Sequence, residues 1–191
     1  MRADMAKLDD ISAVFEEADT LGSVTALVAN AGIAARQARV DELTAARIQE
    51  IFAVTVTAPI LACGHAVRRM STRHGGTGGA IVLVSSVASR LGSPGEYVDY
   101  AASNAAIHAL GIGLAREVAV ENIRVNVVRP GIIETEMHAR NGRPDQAQLL
   151  APTIPMKRAG HAVEVAEAVA WLLGENAAYC TGSILDVSGG R

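Results

Sequence analysis

Two kinds of apolar spacing alternate along the chain. From Lys7 to Asp19, Leu8, Ile11, Phe15 and Ala18 recur every three or four residues with acidic positions between them, which predicts an amphipathic helix. Val24–Ala29 is a short apolar run between Gly22 and Asn30-Ala31-Gly32, the length of a buried strand. A long helical stretch is predicted from about Leu43 to Arg73, bent near Pro59, whose ring nitrogen cannot donate. The glycines of Gly75–Gly79 end it as a loop, and Ala80–Val84 reads as a second buried strand. An Ala-rich helix over Asp99–Val118, a strand at Arg124–Val128, a helix at Ala162–Leu173 and a last strand at Ser183–Val187 follow. Between Pro130 and about Pro155 no period stands out, so that stretch reads as a loop. Strands separated by helices imply βαβ units, right-handed crossovers and one α/β domain with a doubly wound, mostly parallel sheet.

Composition supports one such domain and narrows what it does. The chain has 191 residues, half of them hydrophobic but only 3% aromatic, so its core is built from Ala, Val, Ile and Leu. A net charge of -3 with no run of one sign argues against nucleic acid or an anionic membrane surface as partner. Cys63 and Cys180 are far apart and lie in no metal-ligand spacing, which predicts free thiols in a reducing compartment and no metal site. The first five residues lack the apolar run of a signal peptide. The longest uncharged stretch, Ile51–Val67, is broken by Pro59, Gly64 and His65 and falls short of the ~20 residues of a membrane span. A buried helix is expected there, and a soluble cytoplasmic protein overall.

Ser85-Ser86 ends the second strand, and Tyr100 opens the next helix. In doubly wound sheets, ligands bind where the carboxyl ends of the strands emerge. There a phenol beside a serine hydroxyl can pass a proton to or from a carbonyl or alcohol oxygen while a nicotinamide exchanges hydride. The alternative is an ordinary helix start with a partly exposed tyrosine.

Seven stretches in order bear on that choice: Leu27-Val28-Ala29-Asn30-Ala31-Gly32, Ile81-Val82-Leu83-Val84-Ser85-Ser86, Tyr100-Ala101-Ala102-Ser103, Arg124-Val125-Asn126, Arg129-Pro130-Gly131, Ile133 with Thr135, and Thr181-Gly182 with Gly189-Gly190. Through them the sequence resembles the short-chain dehydrogenase/reductase family along its whole length. It is most similar to the bacterial sugar-dehydrogenase-like and ketoacyl-reductase-like members. The resemblance implies a Rossmann-like fold, NAD or NADP as cofactor, and a small-molecule alcohol or carbonyl as substrate. By the same resemblance Ser86 hydrogen-bonds the substrate oxygen and Tyr100 is the general acid/base. Asn30, Ala31 and Gly32 lie under the adenosine side of the dinucleotide. Pro130, Gly131, Ile133 and Thr135 hold the nicotinamide carboxamide, and Asp4 matches the family's acidic residue near the adenine. A homodimer or homotetramer is implied, with the two long helices at a dimer interface and small residues such as Ala102, Ala105, Ala106 and Gly111 packed against the partner.

Three departures from the family pattern are on the page. Asn104 stands four residues after Tyr100, where the family has a lysine; it can bond a ribose hydroxyl but brings no charge to the phenol. Only Lys7 and Lys157 among the 17 basic residues are lysines, and neither is near it in sequence. An unperturbed phenol of pKa about 10 is ionised in roughly one molecule in a thousand at pH 7. Thr55 occupies the place of an asparagine that helps position a water. No glycine-rich turn follows a strand near the start, so the resemblance implies a sheet lacking the family's first two strands and a first strand with an open apolar edge. The expected activity is hydride transfer between NAD(P) and a secondary alcohol or ketone, impaired in this chain. The competing expectation is a non-catalytic relative serving as a binding or assembly module. Of the remaining residues, His65 and His108 read as packing or surface positions, His138 and His161 as borders of the aperiodic loop with a substrate contact by His138 the lesser alternative, Tyr97 as a loop residue facing the substrate cleft or solvent, and Arg68, Arg69 and Arg73 as a solvated helix end.

Overall fold

A computed structural model describes residues 1–191. Helix α1 (Leu8–Leu21) buries Ile11 and Phe15, as the three-to-four spacing requires. Strand β1 (Ala26–Ala29) follows. Helix α2 (Ala45–Phe52) starts where the Thr44 hydroxyl accepts the Arg47 amide at 3.3 Å, a side-chain N-cap. A π-helical turn over Ala53–Thr57 joins it to α3 (Ala58–Met70). The expected irregularity therefore lies one turn before Pro59, which sits in the first turn of α3. A proline ring clashes with the carbonyl four residues back; widening the preceding turn relieves that clash and leaves no α-helical donor missing. Ala45–Met70 makes 26 continuous helical residues, long and apolar enough for a membrane by length and composition alone. Yet Ile51, Val54, Ala58, Ala62, Ala66 and Met70 are committed to the interior, as expected of a buried helix.

Strand β2 (Gly79–Val84), the short α4 (Ala88–Leu91), the long α5 (Val98–Val118) and strand β3 (Ile123–Pro130) form the centre. The aperiodic stretch after Pro130 is more ordered than its sequence suggests. It contains β4 (Ile133–Glu134), α6 (Glu136–Arg140) and α7 (Gln146–Leu150). Strand β5 (Gly160–His161) pairs in parallel with β4, and α8 (Ala162–Leu173) and β6 (Ile184–Val187) complete the chain. Elements of two to five residues are too short to carry a period, which is why the stretch reads as a loop.

The main sheet runs β1-β2-β3-β6, every pair parallel, with Leu27 beside Ile81, Ile81 beside Val125 and Val127 beside Ile184. On one face Ile81, Leu83, Val125 and Val127 pack with residues of α1, α3 and α5. On the other, Val82 and Val128 meet Leu172 of α8 and Ala177. Helices thus cover both faces, and the inner strands are apolar on both sides, as a parallel sheet demands. Strand β1 pairs on one side only, and Val28 is 41% exposed. Gly111 corrects one expectation: it is buried, and a Cβ there would come within 2.4 Å of Val127 Cγ2. It lets α5 approach β3 of its own chain rather than a partner, whereas Ala102 lies exposed.

Candidate active site

A cleft of about 380 Å³ opens at the carboxyl ends of the strands. Its walls include Ser86, Tyr100 and Asn104, the stretch Asn30–Gly32 after β1, and Pro130, Gly131, Ile133 and Thr135 after β3. Ten of the eleven residues singled out from the sequence therefore meet in one place. The eleventh, Asp4, does not line it. Asp4 is exposed ahead of α1, where its carboxylate accepts the Ala6 amide at 3.0 Å and its amide donates to Asp10 at 2.7 Å. That carboxylate is engaged in local turn formation.

Ser86 is held by continued pairing beyond the strand. The Ser85 amide donates to the Val128 carbonyl at 2.8 Å, and the Val87 amide to the Pro130 carbonyl at 3.0 Å. The Ser86 hydroxyl oxygen accepts the Ala88 amide at 3.2 Å, a turn that fixes the oxygen. Opposite, the first turn of α5 carries Tyr100. The Asp99 carboxylate accepts the Tyr100 amide at 2.9 Å and is gripped by Arg47 through two bonds of 2.7 and 3.2 Å. Arg47 also donates to the Arg36 carbonyl at 2.7 Å, so one guanidinium ties the loop after β1 to the start of α5. The Asp99 side chain is 2% exposed, and a fork of charge-assisted bonds is what makes a buried carboxylate tolerable.

Burial pushes the Tyr100 phenol above its ordinary pKa, while hydrogen bonding with Ser86 and then with Asn104 pulls part of the way back. Asn104 is buried, and its amide donates to the Tyr100 carbonyl at 3.0 Å, one turn back along the helix. That bond uses one of the two N–H donors of the side chain, and an amide brings the phenol no cation. Thr55 lies in the π-helical turn, lines the cleft, and has a buried hydroxyl with no hydrogen-bond partner. At the far wall, a Cβ on Gly131 would fall 2.7 Å from Ser188 Cα, so glycine lets the chain after β3 pass the chain after β6.

Tyr97 and His138 both line the cleft. Burial, then the neighbouring Glu96, raises the Tyr97 phenol, and His138 Nε2 lies 3.1 Å from the Ile133 carbonyl. His65 is a packing residue stacked on Phe15, ring centroids 5.1 Å apart, and Arg69 pairs with Asp19 at the helix end. Sequence reasoning missed Gln146, a cleft-lining residue only 8% exposed that sits in the aperiodic stretch. It also missed the Arg47–Asp99 clamp, whose partners lie 52 residues apart and leave no local signature.

A family model described as enoyl-(acyl carrier protein) reductase matches residues 1–191. The oxidoreductase YgfF of Escherichia coli strain K12 is 52% identical over 192 residues, covering all of this chain and 78% of its own length. A short-chain type dehydrogenase/reductase from Mycobacterium marinum superposes with a TM-score of 0.91 at 31% identity, over all of this chain and 74% of that one. A blue fluorescent protein from a metagenomic library, solved in complex with NADPH, does so with 0.87 at 30% identity, over 98% of this chain and 73% of its own. Likeness of sequence and likeness of backbone agree from one end to the other: the chain belongs to the short-chain dehydrogenase/reductase family.

Proposed function

We propose that the chain is an oxidoreductase that exchanges hydride between NAD or NADP and a secondary alcohol or ketone, with turnover limited by an uncharged site. The observation that carries this reading is that the Ser86 hydroxyl and the Tyr100 phenol line one strand-end cleft, with the serine placed to pull the phenol's pKa down. The residues present suit the nicotinamide end of a dinucleotide. Thr55 offers an unpartnered buried hydroxyl, and Pro130, Gly131, Ile133 and Thr135 line the cleft wall. The bound nicotinamide supplies or accepts the hydride.

Ser86 hydrogen-bonds the substrate oxygen through its hydroxyl, keeps its proton and orients the carbonyl. Tyr100 holds the transferable proton on its phenolic oxygen and gives it to that same oxygen as the alcohol forms. With its pKa above 10, the phenol is ionised in fewer than about one molecule in a thousand at pH 7. It is therefore held in the protonated form that carbonyl reduction needs and is rarely present as the base that alcohol oxidation needs. Asn104 pulls that pKa down only in part and brings the phenol no cation. We further propose a cytoplasmic homo-oligomer in which exposed small residues of α5, Ala102 among them, meet a second copy.

The bond from Asn104 to the Tyr100 carbonyl also favours a second reading, a non-catalytic relative that keeps the fold as a binding or assembly module. Ketone reduction by the purified chain with NADPH or NADH, measured beside Tyr100→Phe, separates them. The oxidoreductase reading predicts turnover that falls about 100-fold or more in the variant, within the range of a lost general acid. Equal rates, or none in either protein, would favour the module.

A further inference from the structure

We propose that His108 is the positioning residue for Ser86, acting as a proton donor to two serine hydroxyls; this rests on Ser86 being the substrate-orienting group proposed above. His108 sits one turn beyond Asn104 on α5 and does not line the cleft. Its Nε2 lies 3.0 Å from the Ser85 hydroxyl and 3.1 Å from the Ser89 hydroxyl. Each hydroxyl has one proton, and both protons are already committed. Ser85 donates to the Asn104 carbonyl at 2.9 Å, and Ser89 donates to the Ser86 carbonyl. Neither can also donate to the imidazole, so the hydrogen between each pair must come from His108. Burial and the nearby Arg129, opposed by Asp186, hold the imidazole below its ordinary pKa, so it is neutral at pH 7 and has one N–H. That hydrogen is on Nε2.

The consequence is a braced turn. One N–H shared between Ser85 and Ser89 pins the end of β2 and the start of α4 to α5. Ser89 then fixes the Ser86 carbonyl, and Ser85 reaches the backbone of Asn104, the residue whose amide holds Tyr100. Ser86 and Tyr100 are thereby referenced to the same helix, which is how a pair of groups from different elements keeps a reacting distance. His108 touches neither substrate nor cofactor. It acts through Ser86.

Three measurements on the full chain test this. Nitrogen NMR of the imidazole at neutral pH is expected to show Nε2 protonated; a neutral ring protonated at Nδ1 overturns the proposal. His108→Ala is expected to lower kcat for ketone reduction about tenfold, the loss of roughly one hydrogen bond, with NADPH affinity within about twofold of the parent. His108→Gln, which returns an N–H donor at similar reach, is expected to recover most of it. An unchanged kcat in His108→Ala, or no recovery in His108→Gln, overturns it. If the parent chain neither binds NADPH nor reduces a ketone, the oxidoreductase reading fails by itself and the brace is read from amide exchange. Exchange of the Ala88 amide, bonded to the Ser86 hydroxyl, is then expected to speed about tenfold in His108→Ala while the amides of the α5 interior keep their rates. Unchanged Ala88 exchange, or a uniform rise across the chain, sinks the brace.

Discussion

The two walls of the cleft are built from unequal material. Ser86 hangs from the inner strands, where Ile81, Val82, Leu83, Val125, Val127 and Val128 are all at most 1% exposed. Asn30–Gly32 hang from β1, which pairs on one side and carries Val28 at 41% exposure. Proton chemistry is therefore mounted on the best-packed part of the domain, and the opposite wall on the least packed. Besides the β1–β2 pairing and the bonds from Gln37 and Ala38 to Glu96, they are joined by Arg47, which reaches the Arg36 carbonyl beyond β1 and the Asp99 carboxylate beside Tyr100. Rigidity in the inner sheet protects a reacting geometry; the outer wall tolerates change in its own packing as long as the clamp survives.

Removing the clamp is the harshest way to break that contrast. Arg47→Ala strands the buried Asp99 carboxylate and is expected to cost about 3–5 kcal/mol in chemical denaturation. Arg47→Met with Asp99→Leu together is expected to recover much of that stability, since the penalty comes from an unpaired charge. Paired truncations sharpen the contrast next. Leu83→Ala on β2 is expected to lose about 2–5 kcal/mol, and Val28→Ala on β1 about 0.5 kcal/mol or less. Equal losses would mean that the outer strand is as integral as the inner one.

The site's charge balance gives a smaller, pH-dependent effect. A phenol whose folded pKa is raised contributes stability that is complete below its unfolded value near 10 and is lost as pH rises towards the folded value. Alkaline unfolding of the parent is expected to set in above about pH 10 and to be shallower in Tyr100→Phe, with Tyr97 adding a lesser contribution of the same sign. Smallest of all is an exposed pair, Arg158 with Glu164. Arg158, and then the His161 amide, hold Glu164 down at about 2. Its contribution is present above about pH 4.5 and disappears as pH falls through about 2, so Glu164→Gln is expected to flatten the acid limb slightly, by no more than a surface pair contributes.

Much of this was readable from residue order. Long apolar periods located α1, α5, α8 and the inner strands to within a few residues, because burial on a fixed face writes the same spacing into each of them. The Ser86–Tyr100 pair and the backbone segments around it were visible as motifs. The π-helical turn was not, since one extra residue per turn barely disturbs an apolar run that is buried on most sides. Nor was the order between Pro130 and Pro155, where each element is shorter than the period that would reveal it. His108 read as a packing or surface residue, because its meaning lies in two serines on another element. Asp4, matched by residue type alone, lies outside the cleft, where its carboxylate accepts an amide of its own turn.

The central claim is that the cleft between these walls holds a nicotinamide against Tyr100. Fluorescence titration of the purified chain with NADPH and with NADH tests it most directly. Saturable enhancement of the nicotinamide signal with at least one of them, displaced by the oxidised cofactor and preserved in Tyr100→Phe, is the predicted result. A signal that never saturates with either nucleotide would contradict it.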